Sequence, residues 1–219
     1  MIIRKRTKIV ATISDKKCEP EFLDGLFREG MDVVRINSAH LNIDGALRII
    51  NNVRQVSDRI AILIDTKGPE IRTTICHSQI ELKKGSTILV KGDPEGITTE
   101  NEICVSYLYF VRDVPVGSDI LIDDGEIELK AVRTTGEALE CLVVNDCILG
   151  SRKSVNLPGI KICLPSITKK DREFIKMAAE NGVDFIAHSF VRSKQDVMDV
   201  QSVLDEYGSS VKIIAKIEN

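Results

Sequence analysis

Apolar runs with strand character recur along this chain at a nearly constant step, separated by segments of helical periodicity, and that rhythm restricts the fold more than any other feature. Thr7 to Ile13 reads TKIVATI, Asp32 to Ile36 reads DVVRI, and Ile60 to Ile64 reads IAILI without a polar break. Between the first two, Pro20 opens a helix with Phe22, Leu23, Leu26 and Phe27 on one face, and Gly30 closes it. Between the second and third, Ile43, Ala46, Leu47, Ile50 and Val53 recur at threes and fours. Strand starts at Lys8, Asp32 and Ile60 lie about 24 and 28 residues apart, the step of parallel strands joined by crossover helices.

The rhythm stops after Gly68. From Ile71 to about Asn156 no helical period is visible, only the short runs QIEL, STILV, SDILI, EIELKAV and LECLVV between turn residues. DDGE at 123–126 predicts a hairpin turn, and KKGS and TTGEA are candidates for the same role. A stretch of roughly 85 to 95 residues is too long for a loop and predicts an all-β insertion, closed into a small barrel because closure removes exposed edges.

The rhythm then returns. Thr168 and Asp171 form a capping-box pair before a helix around Phe174, Met177 and Ala178 that ends at Gly182. A fourth strand spans Val183 to His188, Ser193 caps a helix carrying Val197, Val200 and Val203, and a fifth strand runs from Val211 to Ile217. The fold class expected is α/β: one β/α barrel array over 1–69 and 158–219, interrupted by an all-β lid domain over 70–157.

Polar residues collect where the strands end. Ile60 to Ile64 gives way to Asp65, Thr66 and Lys67, then Gly68, Pro69, Glu70 and Arg72. Carboxylates and a hydroxyl are hard-cation ligands, while Lys67 and Arg72 are anion partners, so the stretch suits a metal with a phosphate or carboxylate; solvated charges at a strand end are the plainer reading. Arg35 and Asn37, followed by His40, end the second strand, Ser189 follows the fourth, and Lys216 and Glu218 end the fifth. In a β/α barrel those carboxyl ends form the catalytic rim. The inventory suits phosphoryl transfer, which needs positive charge around the moving phosphate and a divalent metal held by few carboxylates. Glu218 is the candidate Mg2+ ligand, and Lys216, two residues away, the candidate stabiliser of transition-state charge.

Composition narrows the partners. The formal charge of -3, with both signs interspersed, and the lack of a polybasic or aromatic-interleaved basic strip predict no nucleic-acid surface. No apolar run approaches a membrane span and the charged start lacks an apolar leader core, so a cytoplasmic protein is expected. The six cysteines form no CxxC pair and the three histidines are scattered, which predicts free thiols and no zinc site.

The segments TKIVATI, GMDVVRIN, AILIDTKGPEIRT, VNLPG, LPSITKKD, SFVRS and IIAKIEN, in this order and spacing, strongly resemble pyruvate kinases from about Thr7 to the last residue. The resemblance implies transfer of the phosphate of phosphoenolpyruvate to ADP, giving pyruvate and ATP in glycolysis, with Mg2+ and K+ as cofactors. It implies that Arg35, Ser189 and Lys216 meet the substrate, that Lys216 and Arg35 are catalytic, and that Arg72, Lys153 and His40 meet the nucleotide. Asn37, Asp65 and Thr66 would bind K+ and Glu218 would bind Mg2+. An acid at the position of Glu70 accompanies K+ dependence in the family.

The chain also departs from the family pattern. Family members read RLNFSHG where this chain reads RINSAHL, so Ala39 replaces a serine that helps hold K+. Ser14 and Asp15 replace a glycine and a proline, and Ser154 replaces a glycine. The resemblance also implies a (β/α)8 TIM barrel of which this chain supplies about five of eight strands, hence a fragment of a usually homo-oligomeric enzyme with little activity alone. The competing expectation is a non-catalytic module that binds a nucleotide or a partner through Arg72, Lys153 and the β domain.

Overall fold

A computed structural model describes residues 6–218; the charged start at residues 1–5 and Asn219, the last residue of the AKIEN motif, lie outside the described residues. The chain divides into two compact units, one formed by residues up to Pro69 together with Pro165–Glu218, the other by Glu70–Leu164.

In the first unit the order begins β1 (Val10–Thr12), α1 (Pro20–Arg28), β2 (Val33–Asn37), α2 (Ile43–Val56) and β3 (Ala61–Asp65). The β1 strand is shorter than the TKIVATI run, and Ile9 instead accepts the amides of Asp32 and Val33 through its carbonyl. Pro20 occupies the first turn of α1, where its missing N–H costs nothing. Asn42 caps α2 by accepting the Gly45 amide at 2.9 Å.

The second unit carries β4 (Ile71–Arg72), β5 (Ile80–Leu82), β6 (Thr87–Gly92), β7 (Glu102–Val105), α3 (Phe110–Asp113), β8 (Asp119–Ile122), β9 (Ile127–Thr135), β10 (Ala138–Val143), β11 (Cys147–Leu149) and β12 (Ser154–Asn156). Its 7-stranded sheet has the order β4-β12-β8-β9-β10-β6-β7, and a bridge between Thr73 and Val105 brings the two edges together, so the sheet nearly closes into a barrel. The DDGE turn joins the antiparallel pair β8 and β9, with Asp123 and Asp124 both at φ 55. Gly136 turns β9 into β10.

Three sequence expectations change here. KKGS is a turn but not a hairpin, because β5 pairs with β11 rather than with β6. A short helix, α3, interrupts the all-β stretch; four residues are too few to show a period. The unit extends to Leu164 instead of ending at residue 157, since Ile160, Ile162 and Leu164 pack against its core.

The chain returns to the first unit with α4 (Lys169–Glu180), β13 (Phe185–His188), α5 (Lys194–Glu206) and β14 (Lys212–Ala215). The capping box at Thr168 and Asp171 is formed on both sides, and Ser193 accepts the Asp196 amide to cap α5. All five strands are parallel in the order β1-β2-β3-β13-β14. Alternation sends Val34, Ile36, Ile62, Ile64 and Ile186 into a core with Leu23, Ile49, Val53, Phe174 and Leu204, all fully buried or nearly so. Each such side chain contributes about 1.5–3 kcal/mol of burial free energy. The opposite face of the sheet carries Arg35 and Asp65, one residue out of phase with that core. Five strands of a (β/α)8 barrel with an inserted β-barrel domain describe the architecture.

Candidate active site at the strand ends

Register brings the candidate residues of the first unit together. Asn37 stands opposite Asp65, and Asp65 opposite Ala187, so the residues just beyond these positions lie side by side at the carboxyl ends of β2, β3 and β13. Asp65 is the centre. Its Oδ2 accepts from Arg35 Nε at 2.8 Å and Nη2 at 2.6 Å, and its Oδ1 accepts from Lys216 Nζ at 3.1 Å. The fork of Arg35 thus closes on one carboxylate oxygen, while the lysine lies nearer the other and reaches both, with Oδ2 at 3.4 Å.

Exposure is uneven across this set. The Asp65 side chain is 6% exposed, whereas those of Arg35 and Lys216 are 32% and 29% exposed, so the anion is sunk and both cations keep an open side. An array of this kind presents positive charge outward from a fixed anionic base.

Ser189 links the ends of β3 and β13. Its hydroxyl donates to the Thr66 carbonyl at 2.6 Å and accepts from Lys216 Nζ at 2.9 Å. Glu218 lies 3.3 Å from Lys216 Nζ through Oε1, and its Oε2 accepts the Phe190 amide at 3.1 Å. Phe190 has φ 56, a left-handed conformation that is strained for a bulky residue. Gly68, at φ 67, leaves β3 so closely against Ser189 that an added Cβ would meet the Ser189 carbonyl at 2.7 Å. The buried carboxylate of Asp171 then accepts the Lys67 and Gly68 amides at 3.1 and 3.4 Å, tying this exit to the start of α4.

Not every candidate joins the cluster. Asn37 spends its side-chain oxygen on the Ala39 amide at 3.0 Å, at the head of a 3-10 turn over Ser38–His40, and His40 is exposed at the end of that turn. Glu70, Arg72 and Lys153 belong to the second unit. There Arg72 is paired with Glu70 at 2.7 Å and donates to the Arg152 carbonyl at 2.6 Å, one position before Lys153. Lys153 pairs with Asp123 at 2.5 Å, and that carboxylate raises the lysine pKa above its ordinary value. Antiparallel β4 and β12 set Arg72 opposite Ser154, so Arg72 lies beside the start of β12, which Lys153 immediately precedes.

The donors that could hold a cation are all oxygens: the carboxylates of Asp65 and Glu218, the Asn37 amide and the Thr66 carbonyl, which fits a hard cation rather than zinc. Among the described residues no group of three or more His, Cys, Asp and Glu side chains is arranged to hold a metal.

Three residues near the cluster carry no strong sequence signal. Thr12 accepts from Arg35 Nη1 at 2.8 Å; only the β1–β2 register, which sets Thr12 opposite Arg35, reveals it. Asp171 is legible as a cap but not as a clamp on residues 67 and 68. His188 is wholly buried, with Nδ1 at 3.2 Å from Thr66 Oγ1, and burial lowers its pKa, against the opposing pull of Asp171 and Asp196.

Residues 4–219 match the family model described as pyruvate kinase, barrel domain. The chain is 47% identical over its full length to a pyruvate kinase of Borreliella burgdorferi, of which it covers 46%. It is 40% identical over 98% of its length to a pyruvate kinase of Staphylococcus aureus, of which it covers 38%. The chain thus spans less than half the length of these curated relatives. Among the described residues no helix is long and apolar enough to cross a membrane. A parallel β/α array with a nearly closed β-barrel insertion, cations gathered at its strand ends, and a match over almost every residue lead to one conclusion: the chain belongs to the pyruvate kinase family.

Proposed function

We propose that the protein carrying these residues transfers the phosphoryl group of phosphoenolpyruvate to ADP, giving pyruvate and ATP in the cytoplasm as part of glycolysis. One observation carries the reading beyond family membership: two cations from different strands, Arg35 and Lys216, share the sunken carboxylate of Asp65 at the rim. Phosphoryl transfer asks little covalent chemistry of a protein and a great deal of positioned positive charge.

In this reading Arg35 binds the phosphate of phosphoenolpyruvate and Lys216 neutralises charge on the phosphoryl group as it leaves the enol oxygen for the terminal phosphate of ADP. Asp65 holds the two cations at a fixed separation, so neither must reorganise during transfer. Ser189 keeps Lys216 in place from the neighbouring strand. Arg72 and Lys153 are the nucleotide contacts proposed for the second unit; for His40, on the first unit, a nucleotide contact is proposed separately, from the family resemblance. Glu218 would hold Mg2+, while Asn37, Asp65 and the Thr66 carbonyl would hold K+, with Glu70 marking K+ dependence; bound there, the ions would supply further positive charge to the phosphates. Ala39 removes one hydroxyl from the monovalent set, which predicts weaker K+ binding there.

The test is a coupled assay on the natural gene product. Pyruvate formation that requires phosphoenolpyruvate, ADP and Mg2+ together is expected. Tight ADP binding with no turnover would replace the reaction with a non-catalytic nucleotide-binding role centred on Arg72 and Lys153 of the second unit.

A further inference from the structure

Thr66 Oγ1 has three polar neighbours at the ends of β3 and β13: the Ala187 carbonyl at 3.3 Å, His188 Nδ1 at 3.2 Å and the Ser189 amide at 3.4 Å. The hydroxyl has one proton to give. A carbonyl can only accept and an amide N–H can only donate, so the imidazole takes whichever role the hydroxyl leaves open. If Thr66 donated to Nδ1, the ring proton would sit on Nε2, which is buried without a hydrogen-bonding partner among the described residues. A buried donor without an acceptor is the costlier outcome. With the proton on Nδ1, the ring donates to Thr66, the hydroxyl donates to Ala187, and Nε2 keeps only an unfilled lone pair.

We propose that His188 is a positioning residue of the site, held as the Nδ1–H tautomer, fixing the Thr66 hydroxyl and through it the carbonyl on which Ser189 rests. His188 and Ser189 are consecutive on one strand end and so face opposite ways, the imidazole toward the buried side and the hydroxyl toward Lys216. The ring therefore acts from behind the rim. Thr66 is shared by both sides: its hydroxyl meets His188, and its carbonyl accepts Ser189 Oγ at 2.6 Å. A side chain of this kind plays the part that outer hydrogen-bond partners play for ligands elsewhere, setting orientation without touching the reacting atoms.

Nitrogen NMR on the chain labelled in histidine reads the tautomer directly and needs no activity. A protonated Nδ1 and a bare Nε2 are expected for His188; a proton resident on Nε2 overturns the proposal. The functional arm rests on the reaction proposed above and compares His188→Ala, which removes the donor, with His188→Asn, whose amide N–H falls near the position of Nδ1. Turnover of the gene product is expected to fall roughly 10-fold in His188→Ala with little change in KM, and to recover largely in His188→Asn. Equal losses in both variants, or none in either, overturn the role. If the unsubstituted gene product forms no pyruvate, the proposed reaction fails and the Thr66 resonances decide the inference alone: displacement in His188→Ala with return in His188→Asn supports it, and unmoved resonances overturn it.

Discussion

Asp65 accepts from an arginine on one neighbouring strand and from a lysine two strands away, and the Asn37 and Ala187 positions stand opposite it in register. Removing it leaves two like charges facing each other across the space of a lost carboxylate. Because Arg35 and Lys216 each keep about a third of their side-chain surface in water, the cost falls below that of a fully buried broken pair. Asp65→Ala is expected to destabilise the first unit by about 1–3 kcal/mol, read as a shift in the denaturant midpoint at unchanged slope. At this scale the sequence was informative wherever a polar residue interrupts an apolar strand run: Arg35, Asp65, Ser189 and Lys216 all stand at such breaks. It was silent where a residue's role depends on register. Thr12 is an ordinary β-branched strand residue until β1 is laid beside β2, and His188 looks like a buried strand end until its ring is seen beside Thr66.

Capping explains much of the element scale. Thr168 accepts the Asp171 amide while the Asp171 carboxylate accepts the Thr168 amide and hydroxyl, and the same carboxylate reaches the exit of β3. Thr168→Ala removes one side of this box and is expected to cost about 1 kcal/mol, measured by chemical denaturation. The box was legible because T-x-x-D precedes an apolar period, whereas α3 was not, being a single turn. Around α3, Arg112 and Tyr107 both donate to Asp113 and hold its carboxyl at about 2, below the usual 3.8. The sign follows from linkage: the unfolded chain takes up this proton first as the pH falls. Asp113 therefore stabilises the second unit above about pH 4, and the contribution fades as the pH drops toward 2. Asp113→Asn should flatten that part of the stability profile; a profile unchanged by the substitution would contradict the assignment. Pairing partners were the least legible feature of the β unit. KKGS has turn chemistry, yet β5 finds its partner 65 residues further along at β11, a choice made by core packing that no local signal announces.

For the molecule as a whole, the interrupted array was readable because strand spacing survives removal of the insertion. Where the insertion ends was less so: Ile160, Ile162 and Leu164 follow a proline and a glycine, which suggested a boundary, but their apolar side chains belong to the β unit's core. If the proposed reaction holds, residues far apart in sequence, on separate parallel strands, act as a single catalytic unit around Asp65. A double-mutant cycle on turnover tests it most directly, comparing Arg35→Gln, Lys216→Met and the pair in the natural gene product. Groups that work as one unit give strongly non-additive losses, so the pair is expected to cost little more than the worse single change, itself roughly 100-fold or more. Losses in the two single variants that simply multiply in the double variant would contradict the account.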